Sequence, residues 1–271
     1  MKLRFQLDKH RALSLLVLVL FLSPRLFAQK KITTKSVNES IQYATVDRPG
    51  DLYIVTAGGQ IQKFDKDGNV ASIYKNNPVP TLFDPRDGSR LFAYFRSDQH
   101  FSFLNPSFEV TQSGKLDPAL AIDPWLMCVS GDYNFWILDG EDKSLKKISA
   151  ATGTVTVDAK IPGPPADSIS SFTYVREYQG FIFLLHKKKG VMIFSSLGKH
   201  LKTVGTQGLT HFNFLGEELY FQTADGIDFF NLFTAETRKM PMKQSGQFTL
   251  LTDERLFIVQ DNRIDFFELT P

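Results

Sequence analysis

The sequence predicts an all-β fold: a six-bladed β-propeller of four-stranded blades, with the last blade closed by the N-terminal strand. Two observations carry this. A hairpin skeleton returns six times, as "DLYIVT" at Leu52, "RLFAYF" at Leu91, "NFWILD" at Phe135, "GFIFLL" at Phe181, "ELYFQT" at Leu219 and "RLFIVQ" at Leu256, at intervals of 39, 44, 46, 38 and 37 residues. The sixth repeat ends one strand short, while the chain ahead of the first repeat carries a spare β-branched segment, "QKKITTKSV".

The first element in chain order is not part of the fold. Lys2, Arg4, Lys9 and Arg11 precede the apolar run "ALSLLVLVLFL", and "SPRLFAQK" follows. That order is the one of a secretory signal peptide. The run is too short to span a bilayer comfortably. Residues 1–28 are therefore expected to be cleaved after Ala28, leaving 29–271 as a single propeller domain with no transmembrane segment. No cysteine near the cut offers a lipid-anchor site. The leader holds five of the 31 Lys/Arg and one of the 29 Asp/Glu, so 26 basic and 28 acidic residues remain, a net charge of about −2. Nucleic acid loses its electrostatic support as a partner.

Each repeat then reads as four strands. The hairpin's second arm lies 8 to 10 residues after the first: "IQKF" at Ile61, "FSFL" at Phe101, "LKKI" at Leu145, "VMIF" at Val191, "IDFF" at Ile227 and "IDFF" at Ile264. Turn residues such as "AGG", "ADG" and "DN" separate the arms, which is hairpin chemistry. An apolar segment precedes each hairpin ("IQYATVD", "TLFDP", "WLMCVS", "SSFTYVRE", "HFNFLGE", "QFTLLTD"). A more polar one follows the first five ("VASIYK", "EVTQSG", "VTVDAK", "HLKTVG", "TRKMPM"). Units of about 40 residues with four strands are propeller blades. The spare N-terminal segment is expected to complete the sixth blade, because closure removes the open edges that invite aggregation.

The hairpins "GGQIQKFDKDG" and "VQDNRIDFF" resemble the NHL repeat, whose blades carry an Arg-Ile-Gln-Val-Phe-like strand followed by Asp-x-x-Gly. The resemblance covers the first and sixth units and only the apolar skeleton of the others; "SLKKISAATG" and "GVMIFSSLGK" lack the acidic turn. It implies an NHL-like six-bladed propeller. That family ranges from RNA and protein binders to a zinc-dependent lyase, so no activity follows from it.

Function is expected on the face shared by the hairpin turns and the links between blades. Its longest loops are "KNNPVP", "KLDPALAIDP" and "IPGPPADS", and long loops are where function concentrates. Partner-binding candidates are Pro162, Pro164, Pro165, His186, Lys187, Lys188 and Lys189. Tyr43, Trp125, Phe172, Tyr174 and Phe212 are candidates for lining the mouth of the channel, against the alternative of packing between blades. His100 and His186 share the upper face, His211 begins an inner strand and His200 lies on the opposite face; all four read as solvated histidines, so no metal is expected. Asp47, Asp84, Glu177, Asn213 and Asp253 stand on inner strands but mostly at their far ends. No nucleophile elbow, phosphate-binding loop or dinucleotide fingerprint is present, and no catalytic residue or cofactor is assigned. Cys128, the only cysteine, reads as a buried, inert thiol.

The reading that results is an exported, non-enzymatic, protein-binding propeller, periplasmic or secreted, in the role of a subunit of a bacterial cell-envelope complex. The sequon Asn38-Glu39-Ser40 is outweighed by the unpaired cysteine, which fits eukaryotic extracellular domains poorly. The alternative is a lactonase- or lyase-like enzyme, or a small-molecule binder, that uses the channel. N-terminal sequencing of the exported protein is expected to begin at Gln29; an intact leader on the mature protein contradicts the processing step.

Overall fold

The computed structural model describes residues 28–75, 78–86, 88–163, 168–205 and 208–270. Residues 1–27 of the expected 1–28 leader, together with Pro164 and Pro165, lie outside them. The described chain forms six four-stranded antiparallel sheets. Blade 1 is β2 (Ile41–Val46), β3 (Leu52–Thr56), β4 (Gln60–Phe64) and β5 (Val70–Lys75). Blade 2 is β6 (Leu82–Asp84), β7 (Leu91–Phe95), β8 (His100–Leu104) and β9 (Val110–Lys115). Blade 3 is β10 (Pro124–Val129), β11 (Phe135–Asp139), β12 (Ser144–Ser149) and β13 (Thr154–Lys160). Blade 4 is β14 (Phe172–Tyr178), β15 (Phe181–His186), β16 (Gly190–Phe194) and β17 (His200–Val204). Blade 5 is β18 (Asn213–Leu215), β19 (Glu218–Thr223), β20 (Gly226–Asn231) and β21 (Thr237–Pro241). Blade 6 joins β22 (Phe248–Leu251), β23 (Arg255–Val259) and β24 (Arg263–Thr270) to β1 (Ala28–Ser36) from the other end of the chain. Among the described residues, no helix is long and apolar enough to cross a membrane.

Burial explains why the hairpin skeleton stood out. The second strand of a blade packs between two neighbouring blades, so both of its faces are covered: Leu52–Thr56, Leu91–Phe95 and Phe135–Asp139 are buried at every position. A strand covered on both faces reads as a continuous apolar run rather than an alternating one. Fourth strands lie at the rim and alternate only between partly and fully exposed, as in Val70–Lys75 and Val110–Lys115.

The ring closes where the sequence analysis places the closure. β1 pairs antiparallel with β24 from Ala28↔Thr270 to Ser36↔Arg263. Beyond it, Val37 N–H donates to Asn262 O (2.8 Å) and Ile41 N–H to Asp261 O (2.6 Å), so the chain enters blade 1 already tied to blade 6. Asp265, fully buried on β24, pins the joint. Its carboxylate takes Lys31 Nζ at 2.8 Å and the Thr34 hydroxyl at 2.7 Å from β1, and Arg263 at 2.8 Å from its own strand. Burial works against the charge, but these donors hold the Asp265 carboxyl at about 2.

Deleting residues 29–37 strips blade 6 of its outer strand, and the melting temperature is expected to fall by about 10 °C or more. Asp265→Asn is expected to cost about 1–3 kcal/mol. Because the folded carboxyl titrates below its unfolded value near 3.8, its contribution is complete above pH 4 and is lost as pH falls toward 2. Unfolding curves of wild type and variant that stay parallel across that window refute the role.

Candidate functional site

Inner strands run from the upper face, which carries the hairpin turns and blade-to-blade links, down to the lower face. At the top of the channel they form a cup of about 340 Å³. Five blades contribute to it the same pair, an exposed neutral polar residue followed by an apolar or aromatic one: Gln42-Tyr43, Thr81-Leu82, Thr173-Tyr174, Thr210-His211 and Gln247-Phe248. The register of β2 against β3 shifts between Ile41 and Tyr43, and that of β14 against β15 between Phe172 and Tyr174. The extra residue at each bulge, Gln42 or Thr173, turns out to the rim. No group lining the cup carries a full charge in its ordinary state at neutral pH.

The cup's aromatic side is a bonded cluster. Tyr43 and Tyr174 hydroxyls are 3.1 Å apart across the channel. His211 packs on both rings, at centroid distances of 5.8 and 6.0 Å, and edge-on to Phe248 at 5.5 Å. Burial pushes both phenols up, and burial with the Arg176 charge pushes His211 down to about 3. All three are uncharged at neutral pH. His211 Nε2 is buried with no hydrogen-bond partner.

Beneath the cup, the far ends of the inner strands carry ions that neutralise one another. Arg86 reaches Asp84 at 3.1 Å, Glu177 Oε2 at 3.2 Å and the Glu177 carbonyl at 2.9 Å, spanning blades 2 and 4. Glu177 also accepts Gly131 N–H from blade 3 (2.8 Å), and Arg176 donates to Asn213 Oδ1 of blade 5 (2.6 Å). Arg86 is held at φ 28°, a sparsely populated region for a non-glycine residue. The guanidinium groups outweigh burial and hold Asp84 below the usual carboxylate range. The inner-strand acids thus converge, but onto arginines. Asp47 instead accepts the N–H groups of Gly50 and Asp51 in its own turn, and Asp253 is exposed. Among the described residues, no group of three or more His, Cys, Asp or Glu could hold a metal ion.

Of the channel candidates, Tyr43 and Tyr174 line the cup. Phe212 is fully buried, edge-on to Tyr174 at 5.2 Å, and lines a smaller cavity behind His211. Trp125 is turned away: its indole N–H donates to Phe172 O (2.9 Å) and its ring lies 3.6 Å under the Arg96 guanidinium. Phe172 is buried against the His186 ring.

His186 corrects the expectation of a solvated loop histidine. It is 1% exposed, with Nδ1 accepting Lys188 N–H at 3.1 Å, so it shapes the turn from inside rather than meeting a partner. Lys187 and Lys188 are exposed, Lys189 is half-buried, and Pro162 is exposed. Gly190 ends that turn at φ +90°, where a Cβ would stand 2.6 Å from Val204 O, so glycine is required. Cys128 is buried, and desolvation pushes its thiol up to about 12, which keeps it inert. Phe248, Arg86 and Arg176 are not among the candidates above, and His211 reads there as solvated. The polar-then-apolar pair that recurs at or just ahead of the inner strands' starts is the signal that points to His211 and Phe248.

No protein-family model matches the chain, and no curated protein matches it. Solved structures share the fold. The WD40 domain of Neurospora crassa Pan2 is 10% identical with a TM-score of 0.59, over 92% of this chain and 97% of that one. A catalytically inactive virginiamycin B lyase from Staphylococcus aureus is 14% identical with a TM-score of 0.54, over 85% and 80%. PorZ of Porphyromonas gingivalis, described as a surface component of the type-IX secretion system, is 12% identical with a TM-score of 0.50; the match covers 88% of this chain but only 39% of PorZ.

His211 is expected to show no imidazole titration by NMR between pH 5 and 8. Since the unfolded chain takes up that proton near 6.5 and the folded one only near 3, folding stability is expected to decline as pH falls from 6.5. An imidazole that titrates near 6.5 places His211 in solvent instead.

Proposed function

We propose that this chain is an exported, non-enzymatic propeller that binds a protein through its upper face, as a subunit of a bacterial cell-envelope complex in the periplasm or outside the cell. The carrying observation is that the carboxylates of the channel are spent on arginines. A lactonase- or lyase-like activity requires a carboxylate or imidazole free to hold a metal or move a proton. Asp84 and Glu177 are bound by arginines, the two tyrosine hydroxyls are bonded to each other, and His211 stands among aromatic rings with no carboxylate or second imidazole lining the cup. What the upper face offers instead is a neutral cup, with the exposed turn residues Lys187 and Lys188 close by and exposed Pro162 in a blade-to-blade link.

The basic and apolar N-terminus supports export, with 29–271 as the single mature domain. The fold shared with PorZ accords with an envelope setting, and the resemblance of two hairpins to the NHL repeat accords with a binding module. The lysines contribute mainly to association rate and salt sensitivity, and proline-rich loops supply contact area at low ordering cost.

Alanine variants at Pro162, Pro164, Pro165, Lys187, Lys188 and Lys189 are expected to weaken recovery of a stoichiometric protein partner from native membranes. Folding stability of the Pro162, Lys187 and Lys188 variants should change by no more than about 0.5 kcal/mol, since these side chains are exposed. Undiminished recovery across the set moves the site elsewhere. A stoichiometric metal with turnover of a lactone overturns the non-enzymatic reading.

A further inference from the structure

We infer that the cup is an anchor pocket for one uncharged aromatic side chain of the partner polypeptide; this rests on the protein-binding reading above and adds the chemistry of the contact. At about 340 Å³ the cup lies at the small end of ligand cavities, matched to a single large side chain rather than an extended ligand. One wall is aromatic (Tyr43, Tyr174, Phe248) and the other aliphatic (Val55, Leu82). Aromatic rings favour offset or edge-on partners on such walls.

The lining selects against ions. None of its groups is charged at neutral pH, and the nearest guanidinium, Arg176, is already bonded to Asn213. A cationic side chain would lose its hydration and find no counter-ion. Polar capacity lies at the rim, in exposed Gln42, Thr81, Thr173, Thr210 and Gln247, and within the cup in the Tyr43 and Tyr174 hydroxyls, bonded to each other, and in His211 Nε2, which is open to a polar atom on an inserted ring. Amides and hydroxyls both donate and accept, which suits the backbone flanking an inserted residue.

The cup is also continuous with the lysine turn. Lys187 N–H donates to Ser171 O and Lys187 O accepts Gly208 N–H, each at 2.9 Å. These two acceptor and donor residues stand just ahead of the rim residues Thr173 and Thr210. A chain anchored in the cup therefore passes directly over Lys187–Lys189, and aromatic anchors in desolvated pockets dominate interface energies.

Titration of the mature protein with N-acetyl-tryptophanamide, followed by NMR, is expected to perturb resonances of Tyr43, Tyr174, Phe248 and His211. N-acetyl-lysinamide should bind at least about tenfold more weakly, the expected penalty for an unpaired buried charge. Thr210→Trp and Gln247→Trp, both at exposed rim positions, should fill the mouth and abolish the response while leaving the melting temperature unchanged. No response to N-acetyl-tryptophanamide, or a stronger one to N-acetylglucosamine, overturns the assignment. Partner recovery separates the two ideas. A partner retained by Thr210→Trp but lost by the Lys187–Lys189 variants refutes the anchor and keeps the binding module. Absence of any partner refutes the module itself.

Discussion

The closed ring depends on one seam. Five blades are local in sequence, each built from strands that follow one another, and could form in order along the chain. The sixth exists only when β1 finds β24 across the whole length of the protein. That pairing carries the largest loop-closure cost in the fold, so its register needs a device beyond backbone hydrogen bonds. Asp265 supplies it: a carboxylate with no solvent access, held by Arg263 on its own strand and completed by Lys31 and the Thr34 hydroxyl from the other terminus. A one-residue slip would turn the two N-terminal donors to the opposite face and leave the buried carboxylate under-bonded.

Closure has a consequence for the channel. Six inner strands brought to one axis put their far ends into a small, poorly hydrated space, where acids alone would be intolerable. Arg86 and Arg176 resolve this by joining blades 2, 4 and 5, with Glu177 tying in blade 3 through Gly131 N–H, so the lower channel is a keystone of the ring. The upper end faces a different constraint. There the strands diverge toward solvent, bulges in β2 and β14 turn polar residues outward, and the aromatic residues that follow form the cup. One end of the channel is thus consumed by stability, and the other is left for recognition.

The division also explains why His186 and His211 differ from what their positions suggest. Both belong to short turns or strand starts that read as exposed. His186 is covered within its own blade by its cross-strand partner Phe172, and Tyr43, Tyr174 and Phe248 of three other blades pack on His211. Cover of this kind comes from residues tens to hundreds of positions away, and local pattern carries no trace of it.

The sequence by itself determined the number of blades, the four strands of each and the pairing of the two termini. Those features rest on local periodicity and on a count of strands, and second strands covered on both sides announce themselves as unbroken apolar runs such as Leu52–Thr56. Tertiary structure decided the site. Whether Tyr43 lines a cavity while Trp125 lies under Arg96, or whether Asp84 is a free acid or half of an ion pair, depends on bulges and on side chains crossing the axis between blades. Such contacts join residues with no sequence relation to one another, so only the closed ring brings them together.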